Sequence, residues 1–156
     1  FIGIPSLAVR SDNPLKEIRS FEDIEGYRIG FVKLQSVKYP PIIENNRDKV
    51  MLDELTGENW SGRNLAKLLA HRLDAVYERN QYTSSYQATA DKISDRIKIL
   101  HLPGPAIQHY YVFHKSSQRG ADLLRRYEQA TSGWNFNYDG MVQAEIERLK
   151  TKHAEK

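Results

Sequence analysis

The sequence contains no cysteine; disulfides and thiolate metal sites are therefore excluded, while the compartment stays open. It has no apolar run near the ~20 residues that a membrane-spanning helix needs. Neither sign of charge dominates: 23 basic residues are interspersed with 20 acidic ones, and no run of five like charges occurs. A phosphate-binding stripe is denser than that, so nucleic acid is not expected as a partner. The glycine-rich nucleotide-binding patterns, the G-x-S-x-G elbow and the H-E-x-x-H zinc pattern are all missing. The chain opens Phe1-Ile2-Gly3-Ile4-Pro5 with neither an initiator Met nor a signal peptide, as expected of a processed or truncated product.

What is present fits one ordinary globular domain: 156 residues, 40% of them hydrophobic and 28% charged. Leu7-Ala8-Val9 reads as a short strand, and Ser20-Phe21-Glu22-Asp23 as a capping box closed by Gly26. Arg28-Ile29-Gly30-Phe31-Val32 is a compact apolar strand, after which Pro40-Pro41 opens a helix. Strands are expected at 49–55, 74–77, 97–102 and 109–114. Ser61 is expected to cap a helix bearing Leu65, Leu68 and Leu69 on one face. Tyr82, Tyr86, Ala90 and Ile93 recur at helical spacing, with the tyrosines packing that helix on the sheet. Two further helices are expected near 121–130 and 139–152.

Strands alternating with helices imply βαβ units, an α/β fold and a mixed, mostly parallel sheet flanked by helices. Ligands on such sheets sit beyond the carboxyl ends of the strands, which points to the loops 33–39, 57–62 and 78–82. In the first, Gln35, Ser36, Lys38 and Tyr39 lie between a buried strand and a helix start, where free amides favour an anion. The ordinary alternative is that Ser36 caps that helix and Lys38 is solvated. Trp60 stands in the second loop, within an Asn59-Trp60-Ser61 sequence that also matches a glycosylation acceptor. Glu78 and Arg79 end the strand that carries Asp74 and point to opposite faces. His109 and His114 flank one expected strand without a carboxylate at ligand spacing, so no metal is expected.

Three stretches resemble the family 3 extracellular solute-binding proteins, which have the type II periplasmic binding fold. They are Ile18 through Phe31 around the Asp23-Ile24-Glu25-Gly26 core, Leu65 through Val76 ending in Arg72-Leu73-Asp74-Ala75-Val76, and Tyr110 to Lys115 followed by a helix and Asp139-Gly140. The resemblance implies two lobes, joined by hinge strands, that close on a small polar solute, an amino acid or an organic anion. It implies delivery to the membrane permease of an ABC importer in the periplasm of a Gram-negative bacterium, by a monomer with no cofactor and no catalysis. A signalling receptor's ligand-sensing domain has the same fold. On this reading, residues 1–17 hold a hinge strand and linker, and 18–105 form the second lobe. Residues 106–156 return through the other hinge strand to helices that pack on an absent first lobe. His71 stands where the family has glycine. Its amino-acid binders carry an acid where Arg79 falls here, one residue after Glu78. An Arg79 facing the cleft implies an anion or a solute without an amino group, whereas a Glu78 facing it leaves amino acids and polyamines open.

Overall fold

The computed structural model describes residues 2–33, 39–108, 117–133 and 137–154. In chain order the strands and helices are β1 (Ile2–Gly3), β2 (Ser6–Arg10), β3 (Arg28–Val32), α1 (Pro41–Glu44), β4 (Met51–Leu55), α2 (Trp60–Leu69) and β5 (Ala75–Glu78). They continue with α3 (Thr83–Ala90), β6 (Ile97–His101), β7 (Ile107–Gln108), α4 (Gln118–Thr131) and α5 (Tyr138–Ala154).

Five strands form one sheet in the order β4-β3-β5-β2-β6. β3 runs parallel to β4 and to β5, with Ile29 opposite both Leu52 and Ala75. β2 is the exception: it lies antiparallel between β5 and β6, with Leu7 opposite Tyr77 and Leu100. The sheet is therefore mixed and mostly parallel, an α/β architecture. Separately, β1 pairs antiparallel with β7, which sets the two extended ends of the lobe side by side.

Period-two alternation gives the sheet two apolar faces. Leu7, Ile29, Phe31 and Tyr77 pack with Phe21, Ile24 and Ile43 on one face. Ala8 and Val76 pack with Leu65 and Leu68 of α2 and Ala88 of α3 on the other. Leu65 and Leu68 are fully buried, each stabilising the fold by about 1.5–3 kcal/mol. α2 crosses the sheet at Gly30, where a Cβ would stand 2.7 Å from Leu73 Cδ1. α2 ends with the His71 N–H donating to the Leu68 carbonyl and the Arg72 N–H to that of Lys67. That pairing puts His71 in the left-handed region at φ 57°.

Several local expectations change. The helix after Pro40-Pro41 is a single turn: the Glu44 and Asn45 N–H groups bond back to the Pro40 and Pro41 carbonyls, and the Asn46 N–H then goes to the Ile43 carbonyl instead of that of Ile42. α2 starts two residues earlier than expected, behind a left-handed Asn59 instead of Ser61, so Ser61 lies inside the helix. Tyr82 is buried as expected, but Tyr86 is 43% exposed. The expected strand at 109–114 lies outside the described residues. α5 packs against α3, with Ile146 buried and the Tyr138 ring edge-on to Tyr82. α4 is capped by Ser117 and leaves Leu123, Leu124 and Tyr127 about 40% exposed. Among the described residues no helix is long and apolar enough to cross a membrane.

Candidate functional site

Because β3, β4 and β5 are parallel neighbours, their carboxyl ends deliver Lys33, Thr56 and Arg79 to one edge of the sheet. Beneath that edge runs an aromatic row. The Phe31 ring stacks on Tyr77 at 4.8 Å and meets Tyr39 at 4.3 Å. The Tyr39 hydroxyl donates to Glu54, and Arg47 covers its ring at 4.6 Å. Lys33 Nζ reaches the other Glu54 oxygen at 2.8 Å. Lys33 and Tyr39 together hold the Glu54 carboxyl below the usual carboxylate range, while burial and the Glu54 contact push Tyr39 up to about 12. Both groups are thus spent on each other.

Glu78 and Arg79 part company at the end of β5. The Glu78 side chain is 2% exposed and lies on the α2/α3 face. Ser84 Oγ donates to it at 2.5 Å, and Ser61 Oγ lies 3.5 Å away. Burial pushes its carboxyl up to about 8, against the pull of the two hydroxyls. Arg79 is partly exposed and has no hydrogen-bond or ion-pair partner among the described residues. Next to it Asn80 Oδ1 accepts from the N–H groups of Tyr82 and Thr83, turning the chain into α3.

Two residues before Arg79, the Tyr77 hydroxyl is buried without a hydrogen-bond partner among the described residues. Burial pushes it up to about 12, and the nearby Arg79 charge pulls the other way. An unpaired buried hydroxyl costs on the order of 1–3 kcal/mol. Asn64, on the buried face of α2, is also unpaired.

The structure therefore groups Tyr39, Glu78 and Arg79 near one sheet edge, and Trp60 begins the helix that covers Glu78. Tyr39 is held by Glu54. Gln35, Ser36 and Lys38 lie outside the described residues, as do His109 and His114. The expected amides of the following helix are largely absent: Pro40 and Pro41 have no N–H, and the next turn bonds to itself. Tyr77 was not among the expected site residues, although alternation alone sets it on the side of Arg79. Among the described residues no group of three or more His, Asp or Glu side chains is placed to hold a metal ion. An open groove of about 480 Å³ runs along the outer edge of β4 past Arg28 and Arg72. It does not reach Arg79, and its Asp53 is already paired with Lys67 at 2.7 Å.

The antiparallel strand inserted beside three parallel ones, with the parallel carboxyl ends gathered on one edge, matches solved structures over nearly the whole chain. The fold is that of the type II periplasmic binding proteins. One structure sharing this binding fold is an amino acid ABC transporter substrate-binding protein, AbpA, from Streptococcus pneumoniae bound to L-arginine. It is 14% identical with a TM-score of 0.65, over 97% of this chain and 58% of that one. Another is the BvgS periplasmic VFT2 domain of Bordetella pertussis, 15% identical with a TM-score of 0.57, over 96% and 57%. A third is an ancestral arginine-binding protein bound to arginine, 18% identical with a TM-score of 0.55, over 97% and 60%. The chain thus spans less than two thirds of the length of these solved structures. No protein-family model and no curated protein matches the sequence.

Proposed function

We propose that the chain is the second lobe of a receptor that binds a small polar solute and feeds an ABC importer, without catalysing a reaction. The observation that carries this reading is the shared edge: β3 and β5 are adjacent and parallel, so the carboxyl ends of both strands lie on one edge of the sheet. Ligands on open α/β sheets settle at that edge. On this reading residues 1–17 and the segment after 105 join the lobe to a first lobe, and residues 18–105 form the solute-facing body. The exposed stripe of α4, Leu123, Leu124 and Tyr127, suits a helix that meets that first lobe. Gln35, Ser36, Lys38 and Arg79 then contact the solute from this side, with Trp60 at the rim. Partners are the solute and a permease in the membrane beside a Gram-negative periplasm.

Calorimetric titration of the full-length protein with amino acids and organic acids tests the reading. One solute binding saturably at one-to-one stoichiometry is expected, and silence across a broad panel overturns it. The likeness to the BvgS domain favours a second reading, a ligand-sensing domain. Capture of a permease by the loaded protein in detergent extracts separates the two, since a sensor has no reason to bind one.

A further inference from the structure

We infer that the solute is an organic anion without a free ammonium group, its carboxylate or equivalent oxyanion gripped by the Arg79 guanidinium at the end of β5. This rests on the solute-binding reading and narrows its ligand class.

The charges at the sheet edge decide the sign. Of the acids there, Glu54 is occupied by Lys33 and Tyr39, and Glu78 is turned under α2 and α3 and held by Ser84. Glu58 is exposed, but it stands on the turn after β4. It makes no ion pair with Arg79 among the described residues. Asp139, on α5, meets the Tyr82 hydroxyl. No described acid therefore faces Arg79 as a partner for an ammonium group. Glu78 cannot swing round to become one, because its backbone is paired with Ser6 in the middle of the sheet.

Arg79 itself is partly exposed and has no hydrogen-bond or ion-pair partner among the described residues. Its five N–H donors form a rigid fork that fits a carboxylate through two parallel hydrogen bonds. The Tyr77 hydroxyl is a second, independent pointer. It stands two residues before Arg79, feels its charge, is buried, and has no hydrogen-bond partner among the described residues. Held protonated by its surroundings, it is a donor waiting for an acceptor. An oxyanion on Arg79 pairs with the guanidinium and can accept from the hydroxyl, whereas an ammonium group, which the phenol oxygen could accept from, meets like charge at Arg79.

The experiment is calorimetry on the full-length protein with succinate, citrate and pyruvate on one side, and L-glutamate, L-arginine and putrescine on the other. A carboxylate without an amino group is expected to bind best. Arg79→Ala is expected to weaken it by about tenfold or more, the range for lost hydrogen bonds to a charged group. Arg79→Lys, which keeps the charge and loses the fork, should fall between. Tyr77→Phe should weaken the same acid several-fold while leaving the free protein at least as heat-stable. Because Arg79 reaches solvent, its variants are expected to melt with the parent, which removes misfolding as an explanation. Tightest binding of an amine, or acid binding indifferent to Arg79→Ala, overturns the inference and leaves the receptor reading standing. Binding of none of the six, with none from a wider panel, brings down both.

Discussion

Glu78 and Arg79 are chain neighbours with opposite surroundings, and only half of that was legible in the sequence. Alternation along a strand requires the two side chains to point apart, but not which one the helices will cover. The cover is settled by α2 and α3, whose Ser61 and Ser84 converge on Glu78. A carboxyl buried there has a clear pH signature. It is pushed up to about 8 when folded, against an ordinary value of 4.5, so between those values the folded state holds the proton more tightly than the open chain. The stability it lends is fully present below about pH 4.5 and is lost as pH rises toward 8. At about 1.4 kcal/mol per unit, the loss is on the order of 3–5 kcal/mol. Glu78→Gln keeps an acceptor for Ser84 and carries no charge, so this slope should vanish. Urea unfolding at pH 5 and pH 8 checks it: the variant should gain several kcal/mol on the parent at pH 8 and little at pH 5. Equal gaps at both pH values would show that Glu78 does not titrate in this window. Ser36 and Lys38 make a separate residue-scale prediction. Ser36→Ala with Lys38→Ala should weaken an anionic ligand by ~1.5–3 kcal/mol, with the melting temperature of the free protein nearly unchanged. Unaltered affinity in titration would return both to ordinary surface roles.

Most elements were readable because their punctuation is chemical: the Ser20 and Asp23 pair that boxes the first turn, the left-handed Gly26, and the leucines at helical spacing on α2. The misreadings have physical causes too. Ser61 looked like a cap, but Asn59 adopts the left-handed conformation at φ 50° and the helix starts before the serine. The hydroxyl thus became free to serve Glu78. Two prolines looked like a helix start and are one, but nothing after them sustains a second turn. His71 is the most informative departure, since it occupies a left-handed position at φ 57° that closes the end of α2. A non-glycine side chain there costs about 1–2 kcal/mol. His71→Gly should therefore stabilise the fold by roughly 0.5–1 kcal/mol after glycine's extra chain entropy, raising the urea midpoint with the slope of the transition unchanged. Lys92 makes the same motif after α3 at φ 59°, and Lys92→Gly should add its gain independently. Gly30 is the reverse case. A methyl group would press on Leu73 and Asn64, both buried, so Gly30→Ala should lower stability by ~1–3 kcal/mol.

The mostly parallel sheet followed from alternating strands and helices, but the insertion of β2 between β5 and β6 did not. Ser6 pairs with Glu78 and with His101, and nothing local in a five-residue strand records partners that distant. That insertion has a consequence for how the molecule comes apart. Leu7 faces one core and Ala8 the other, so β2 belongs to both and neither core can open alone. The sheet and α2 should therefore unfold in one transition, and Leu7→Ala should cost about 2–5 kcal/mol of the whole rather than release one face. α4 stands outside that unit, since all but Gly120 of its described side chains reach solvent at least in part. Native-state hydrogen exchange on the 156-residue chain separates the two. Amides of β2, β3, β5 and the core of α2 should exchange only through global unfolding, and Leu7→Ala should speed all of them equally. Those of α4 should exchange far faster and ignore the substitution. If Leu7→Ala accelerated only the β2 and β6 amides, the sheet would be two cooperative units, and the coupling assigned to β2 would be wrong.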